Sequence, residues 1–291
     1  MISLNNLISF VLMILSASMI ALGSFVRKVF VGVDGIYLAM FICFVGSSIL
    51  MWWIGSISSF TKIMPHGWKS IFIRVVFSML AQVLLFVSLS RGSLLITMLL
   101  FNTSPLFIPV IRFVFFKKDI SHFNFICIIV SFFGIYLILG RGSDGANIYT
   151  LSALCAGILN AASQVVLHNA SQKEDVFIIN LWIYTFIALV LIVLLPFDRS
   201  AVTNLNNLFT QPIIIWMSIA IIIFSISAQI FRVKAFKYTN DPALVAPAMY
   251  FSVIVAAILD IVFYNISMSC LEMCGVLMIC VTSVLSLIKK A

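Results

Sequence analysis

The sequence predicts an all-α polytopic membrane protein, with ten transmembrane helices arranged as two inverted five-helix repeats. Three observations carry that expectation. The 291 residues are 63% hydrophobic and 9% charged, whereas an ordinary soluble domain is about a quarter charged; so little charge cannot cover a water-soluble globule of this size. The apolar residues are gathered into runs long enough to cross a bilayer, which takes about 20 residues per helix. The two halves of the chain also carry the same marks in the same order.

Ten runs meet the length requirement: residues 4–26, 35–57, 70–90, 92–116, 122–140, 149–168, 176–196, 212–231, 241–263 and 270–288. The first opens Met-Ile-Ser-Leu-Asn-Asn, with no basic residue ahead of it and no clear cleavage site leading to a soluble domain. It therefore reads as a span rather than a signal peptide. Links are short apart from 58–69 and 197–211, and Arg91-Gly92 is nearly the whole connection between the third and fourth runs. No soluble domain fits between the runs.

Orientation follows from Lys and Arg. With the N-terminus in the cytoplasm, the inside segments hold twelve basic residues: Lys62, Lys69, Arg74, Arg112, Lys117, Lys118, Lys173, Arg232, Lys234, Lys237, Lys289 and Lys290. The outside segments hold five, Arg27, Lys28, Arg91, Arg141 and Arg199. The positive-inside rule then places both termini in the cytoplasm, as an even number of spans requires. The net charge of +8 is spread in short clusters rather than along one stripe, which excludes a nucleic-acid partner. The six cysteines include no CxxC and no Cys/His set at metal spacing, so they read as small packing residues; no metal or cofactor is expected.

The repeat is read from paired marks. Ala81-Gln82 and Ala228-Gln229 lie in the third and eighth runs, 147 residues apart. A short polar junction follows each, Ser90-Arg91-Gly92 and Tyr238-Thr239-Asn240-Asp241, and then a Pro-containing run with Pro105 and Pro109 or Pro242 and Pro247. Five spans per half is an odd number, so two such repeats enter the membrane in opposite directions. That plan is common among secondary transporters, with the substrate near the midplane between the halves.

On these stretches the sequence resembles the drug/metabolite transporter superfamily, in its EamA-type branch. The resemblance is carried by Ser88-Leu89-Ser90-Arg91-Gly92-Ser93-Leu94-Leu95 running into Asn102-Thr103-Ser104-Pro105-Leu106-Phe107, by Phe115-Phe116-Lys117-Lys118-Asp119, and by Lys234-Ala235-Phe236-Lys237-Tyr238 followed by Pro242-Ala243-Leu244-Val245-Ala246-Pro247-Ala248-Met249-Tyr250. It covers nearly the whole chain, as repeats over 1–140 and 149–288. It implies a bacterial inner-membrane secondary transporter of small polar metabolites, with amino acids and S-adenosylmethionine-like compounds as examples. The family's acidic residue after the fourth span is matched by Asp119; after the ninth stands Asn265-Ile266-Ser267, without an acid. Lipid and a small-molecule substrate are the expected partners, and a homodimer is compatible with the plan.

Polar side chains in the apolar runs are the candidate substrate contacts, because such groups usually face a bundle interior or cavity. They are Ser18 (with Ser16), Gln82, Asn102, Asn160, Gln164 and Tyr250, drawn from five of the six spans that line the cavity in the family. The competing reading makes each Ser a partner of its own backbone, and each Asn or Gln a bond between helices worth about 1 kcal/mol. Asp260, near the outer end of the ninth run, is the candidate for proton coupling, against an interfacial carboxylate in contact with water. Arg27, Lys28 and Arg91 read as a basic outer vestibule or as snorkelling head groups. No GxSxG, HExxH or Walker A motif is present, so no enzymatic activity is expected. The alternative is a membrane enzyme or accessory subunit acting on lipid-linked substrates, which calls for ionisable groups clustered at one interface.

Overall fold

The computed structural model describes residues 4–57, 64–116, 147–197, 211–238, 246–264 and 270–288, with scattered positions between 123 and 137. Among the described residues all regular structure is helical. The elements are α1 (Leu4–Asp34), α2 (Ile36–Ile57, with a π-helical turn over Ile42–Gly46), α3 (Trp68–Arg91), α4 (Leu94–Phe101) and α5 (Ser104–Phe116). Then come α6 (Ile148–Ser171), α7 (Val176–Leu194), α8 (Pro212–Tyr238), α9 (Phe251–Tyr264, after a 3-10 turn at Ala246–Tyr250) and α10 (Cys270–Ile288).

Six of these, α1, α2, α3, α6, α7 and α8, are long and apolar enough to cross a membrane. They present large apolar side chains outward, such as Ile49, Val193 and Ile213 at 65–67% exposure, a surface that suits lipid and not water. The fifth apolar run, with Asp119 just before it, falls largely outside the described residues, as does the start of the ninth.

Two helices run further than their apolar content predicts. α1 continues past residue 26 to Asp34, because the first residue that breaks it is Gly35, held at φ +91°, a region that favours glycine. α8 continues past residue 231 to Tyr238. Arg27, Lys28 and Arg232 therefore lie inside helices, not in the links where a hydropathy boundary puts them.

The fourth run is broken into α4 and α5. Pro105 has no N–H, so the Phe101 carbonyl loses its helical donor. The chain turns at Asn102 and Thr103, and the Leu100 carbonyl accepts from Thr103 N at 3.2 Å and Thr103 Oγ1 at 2.6 Å. α6 presses against this break at Gly157, where a Cβ would stand 2.6 Å from the Leu100 oxygen and 3.1 Å from that of Phe101.

Helices from the two halves pair antiparallel. On α1 and α8, Ser9 Oγ donates to the Ala235 carbonyl (2.8 Å), Ser16 Oγ to that of Ala228 (2.7 Å), and Arg27 to Ser225 Oγ. On α3 and α6, the Ser78 and Ser163 hydroxyls meet at 2.7 Å. Just before α3, the amides of His66 and Gly67 donate to Glu174 Oε1 just after α6, at 2.7 and 2.8 Å. α2 and α7 are joined by Tyr37 to the Leu191 carbonyl and by Trp52 Nε1 to Thr185 Oγ1 at 3.0 Å. The two most extensive pairings are α3 with α6 and α1 with α8.

Candidate functional site

These pairings leave a polar cavity between α1, α3, α6, α7 and α8, closed also by Phe44 of α2 and Phe101 of α4. Each helix brings one polar stripe to it. α3 presents Arg74, Ser78 and Gln82, spaced by four and so on one face; α6 presents Asn160, Ser163 and Gln164; α8 presents Ser225, Gln229 and Arg232; α1 adds Arg27 and α7 adds Tyr184. The space open to the centre of a water molecule is about 40 Å³, room for roughly three waters at about 10–15 Å³ each. The helices are close together in this conformation.

Three arginines dominate the electrostatics. Arg27, Arg74 and Arg232 are 7%, 2% and 6% exposed. Among the described residues no Asp or Glu lines the cavity, and the ion pairs formed elsewhere involve none of the three. Arg27 is partly satisfied: it donates to Ser225 Oγ and lies 5.5 Å over the Phe86 ring. Among the described residues, Nε of all three guanidinium groups and Nη1 of Arg74 are buried without a hydrogen-bond partner. Acceptors are also unused, at Oε1 of Gln164 and of Gln229. Tyr184 is fixed by donating to the Ser225 carbonyl at 2.9 Å. The lining supplies donors, acceptors and fixed positive charge, which are the means to hold a polar solute.

Of the residues singled out from sequence, Gln82, Asn160 and Gln164 come together in this cavity. Asn160 Nδ2 and Gln164 Nε2 both reach Ser104 Oγ, at 3.3 and 3.4 Å, long bonds that leave the amides open to a better partner.

The others are placed elsewhere. Asn102 sits at the α4–α5 break and donates to the Met98 carbonyl (2.6 Å) and Ser252 Oγ (2.7 Å), tying the fourth run to α9. Tyr250 packs in an apolar cluster with Leu95, Leu99, Leu106 and Val253. Ser18 donates to its own helix at the Ile14 carbonyl, 2.9 Å away. Asp260 is buried, at 1% exposure, which does not fit the competing reading of an interfacial carboxylate. Its Oδ2 accepts from Ser93 Oγ (2.9 Å) and Leu95 N (2.7 Å), and Lys28 Nζ stands 3.7 Å from Oδ1.

The outer vestibule, one of the two readings of these basic residues, is not one site: Arg27 enters the cavity, Lys28 pairs with Asp260, and Arg91 lines a separate cleft with Tyr37 and Leu194. Arg74 and Arg232, assigned from sequence to the inside segments, belong to the cavity as well. A signal for them was present: Arg74 lies on the face of Gln82, and Arg232 is one turn from Gln229.

Fold and cavity together define a multi-pass helical membrane protein with two repeats around a polar centre. The model of the EamA-like transporter family matches the chain twice, over residues 7–140 and 147–288, and the chain belongs to that family. No curated protein sequence matches it. One solved structure, described only as the crystal structure of a protein, is similar over 97% of this chain and 94% of its own, with a TM-score of 0.65 at 14% identity, a likeness of fold.

Proposed function

We propose that the chain is a secondary active transporter that carries small polar metabolites across a bacterial inner membrane by alternating access. In this reading it has ten spans, with residues 1–140 and 149–288 as inverted repeats and both termini in the cytoplasm. The substrate sits in the central cavity against Gln82, Asn160 and Gln164. The observation that carries the reading is the set of polar atoms buried within helices and without partners among the described residues, on α3 of one half and on α6 and α8 of the other. Groups of this kind are unfavourable in a membrane unless they serve a solute. The antiparallel pairings support the inversion, since exchanging the halves turns the α1–α8 pair into the α6–α3 pair. Among the substrates the family suggests, amino acids offer the lining one carboxylate, and acidic amino acids two. The sulfonium of an S-adenosylmethionine-like compound meets three guanidinium groups. Asp260 remains the group for proton coupling: its protonation would release Lys28 and loosen α9 from the start of α4.

The test is purified protein in liposomes, screened with labelled metabolites for uptake and counterflow. Internal unlabelled solute is expected to accelerate entry of the same labelled solute. Absence of counterflow for every solute that binds the protein would overturn the reading.

A further inference from the structure

We infer that the substrate is a small organic dianion whose two negative groups, carboxylate or phosphate, are held by Arg27 at one end of the cavity and by Arg74 and Arg232 at the other. This rests on the transporter reading and narrows its substrate class. The charge balance is the first argument. Three guanidinium groups, each at most 7% exposed, share a cavity that no described carboxylate lines. An arginine cannot shed its charge in a protein, and an uncompensated buried charge is among the least favourable features a fold can hold. An anionic solute supplies the missing charge.

Placement is the second argument. The Arg27 guanidinium is bound at Ser225, whereas Arg232 is seven residues further along the same helix, about 10 Å by helical rise. Arg74 lies eight residues before Gln82 on α3. Because α3 and α8 enter from opposite sides in the inverted plan, Arg74 and Arg232 are displaced from their glutamines toward the same side of the membrane, and Arg27 toward the other. The amides of Gln82, Asn160 and Gln164 lie between the two cationic ends. A monoanion satisfies one end and leaves the other bare; a cation is repelled by both. Nε and Nη1 of Arg74 are buried donors without a partner among the described residues, on the two flanks of a guanidinium, a group suited to carboxylate and phosphate.

The experiment is thermal melting of the full chain in detergent at fixed ionic strength, with sodium succinate or sodium glycerol 3-phosphate in place of part of the sodium chloride, or with serine or lysine hydrochloride added. At least one dianion is expected to raise the midpoint in a saturable way, with serine and lysine no better than chloride; the responding dianion separates carboxylate from phosphate. Arg74→Gln and Arg232→Gln should raise the half-saturating concentration at least tenfold. Arg91→Gln, in the separate cleft, should leave it unchanged. If the Gln variants are not monodisperse on gel filtration, Arg74→Lys and the wild-type panel decide. The inference is overturned if no dianion exceeds chloride, if serine or lysine matches the dianions, or if the arginine variants bind as the wild type does. A dianion that binds but shows no counterflow in liposomes sinks the transporter reading and leaves the binding assignment standing.

Discussion

Gln82 and Gln229 line the same cavity although 147 residues separate them in the chain. Each follows an alanine that also lines it, Ala81 or Ala228, and the small side chains let the neighbouring helices come near the amides. The arginines do not share this correspondence. Arg74 precedes its glutamine by eight residues and Arg232 follows its own by three, so a near-symmetric polar ring carries an asymmetric charge pattern.

Gln82→Leu and Asn160→Leu should each lower transport per molecule at least fivefold without changing membrane abundance, because Leu is at home in a helix and the cavity loses a donor and an acceptor. Phe113→Leu, at a side chain 49% exposed, is the lipid-facing control. Equal normalised rates for all three would remove the amides from the substrate site.

Asn102→Leu should act on stability. Its bond to Ser252 predicts a double-mutant coupling with Ser252→Ala of about 0.6 kcal/mol, the mean between membrane helices, and at most about 1.7 kcal/mol. Chemical or thermal unfolding of the four proteins reads it. Strict additivity would show that the bond contributes nothing.

Gly157→Ala should destabilise the protein by about 1–3 kcal/mol, since the new methyl would stand 2.6 Å from the Leu100 carbonyl oxygen and backbone there cannot yield without moving α4 or α6. Gly32→Ala, with nothing within 4 Å of the added carbon, is the matched control, and melting temperatures in detergent compare them.

Asp260→Asn should be more harmful than the double replacement Asp260→Asn with Lys28→Met, because the single change strands a partly buried ammonium group beside the Tyr264 ring, 4.2 Å away, while the pair removes both charges. Melting temperature gives the order. If Asp260 couples protons, both forms also lose the dependence of transport on an imposed pH gradient.

Reporter fusions after residues 65 and 291 should read cytoplasmic and one after 205 external. The basic bias motivates this: leaving out the intrahelical Arg74 and Arg232 inside and Arg27 and Lys28 outside, ten basic residues still stand against three. A cytoplasmic reading at 205 would reverse the topology.

The helical class and the amide face were legible because they follow from run length and from the cost of burying an amide in lipid. The paired Ala-Gln marks are legible too, Gln82 as a candidate substrate contact and Gln229 only as a sign of duplication. Depth along a run was a poorer guide, since it says nothing about direction around the helix. Asn102 and Tyr250 lie deep but turn toward α9 and an apolar cluster. The arginines were hidden by the counting of basic residues as loop markers; a hydropathy boundary drawn at residue 26 or 231 cannot distinguish a head group reaching for the interface from one drawn into the protein.

The pairing of α1 with α8 has a consequence for synthesis. Ser9 finds its acceptor, the Ala235 carbonyl, 226 residues later in the chain, which at about 5–20 residues per second is roughly 10–45 s of translation. Through that interval Ser9, Ser16 and Arg27 are in the bilayer without their eventual neighbours. The polar face of the newborn first helix is therefore left to other partners until α8 emerges.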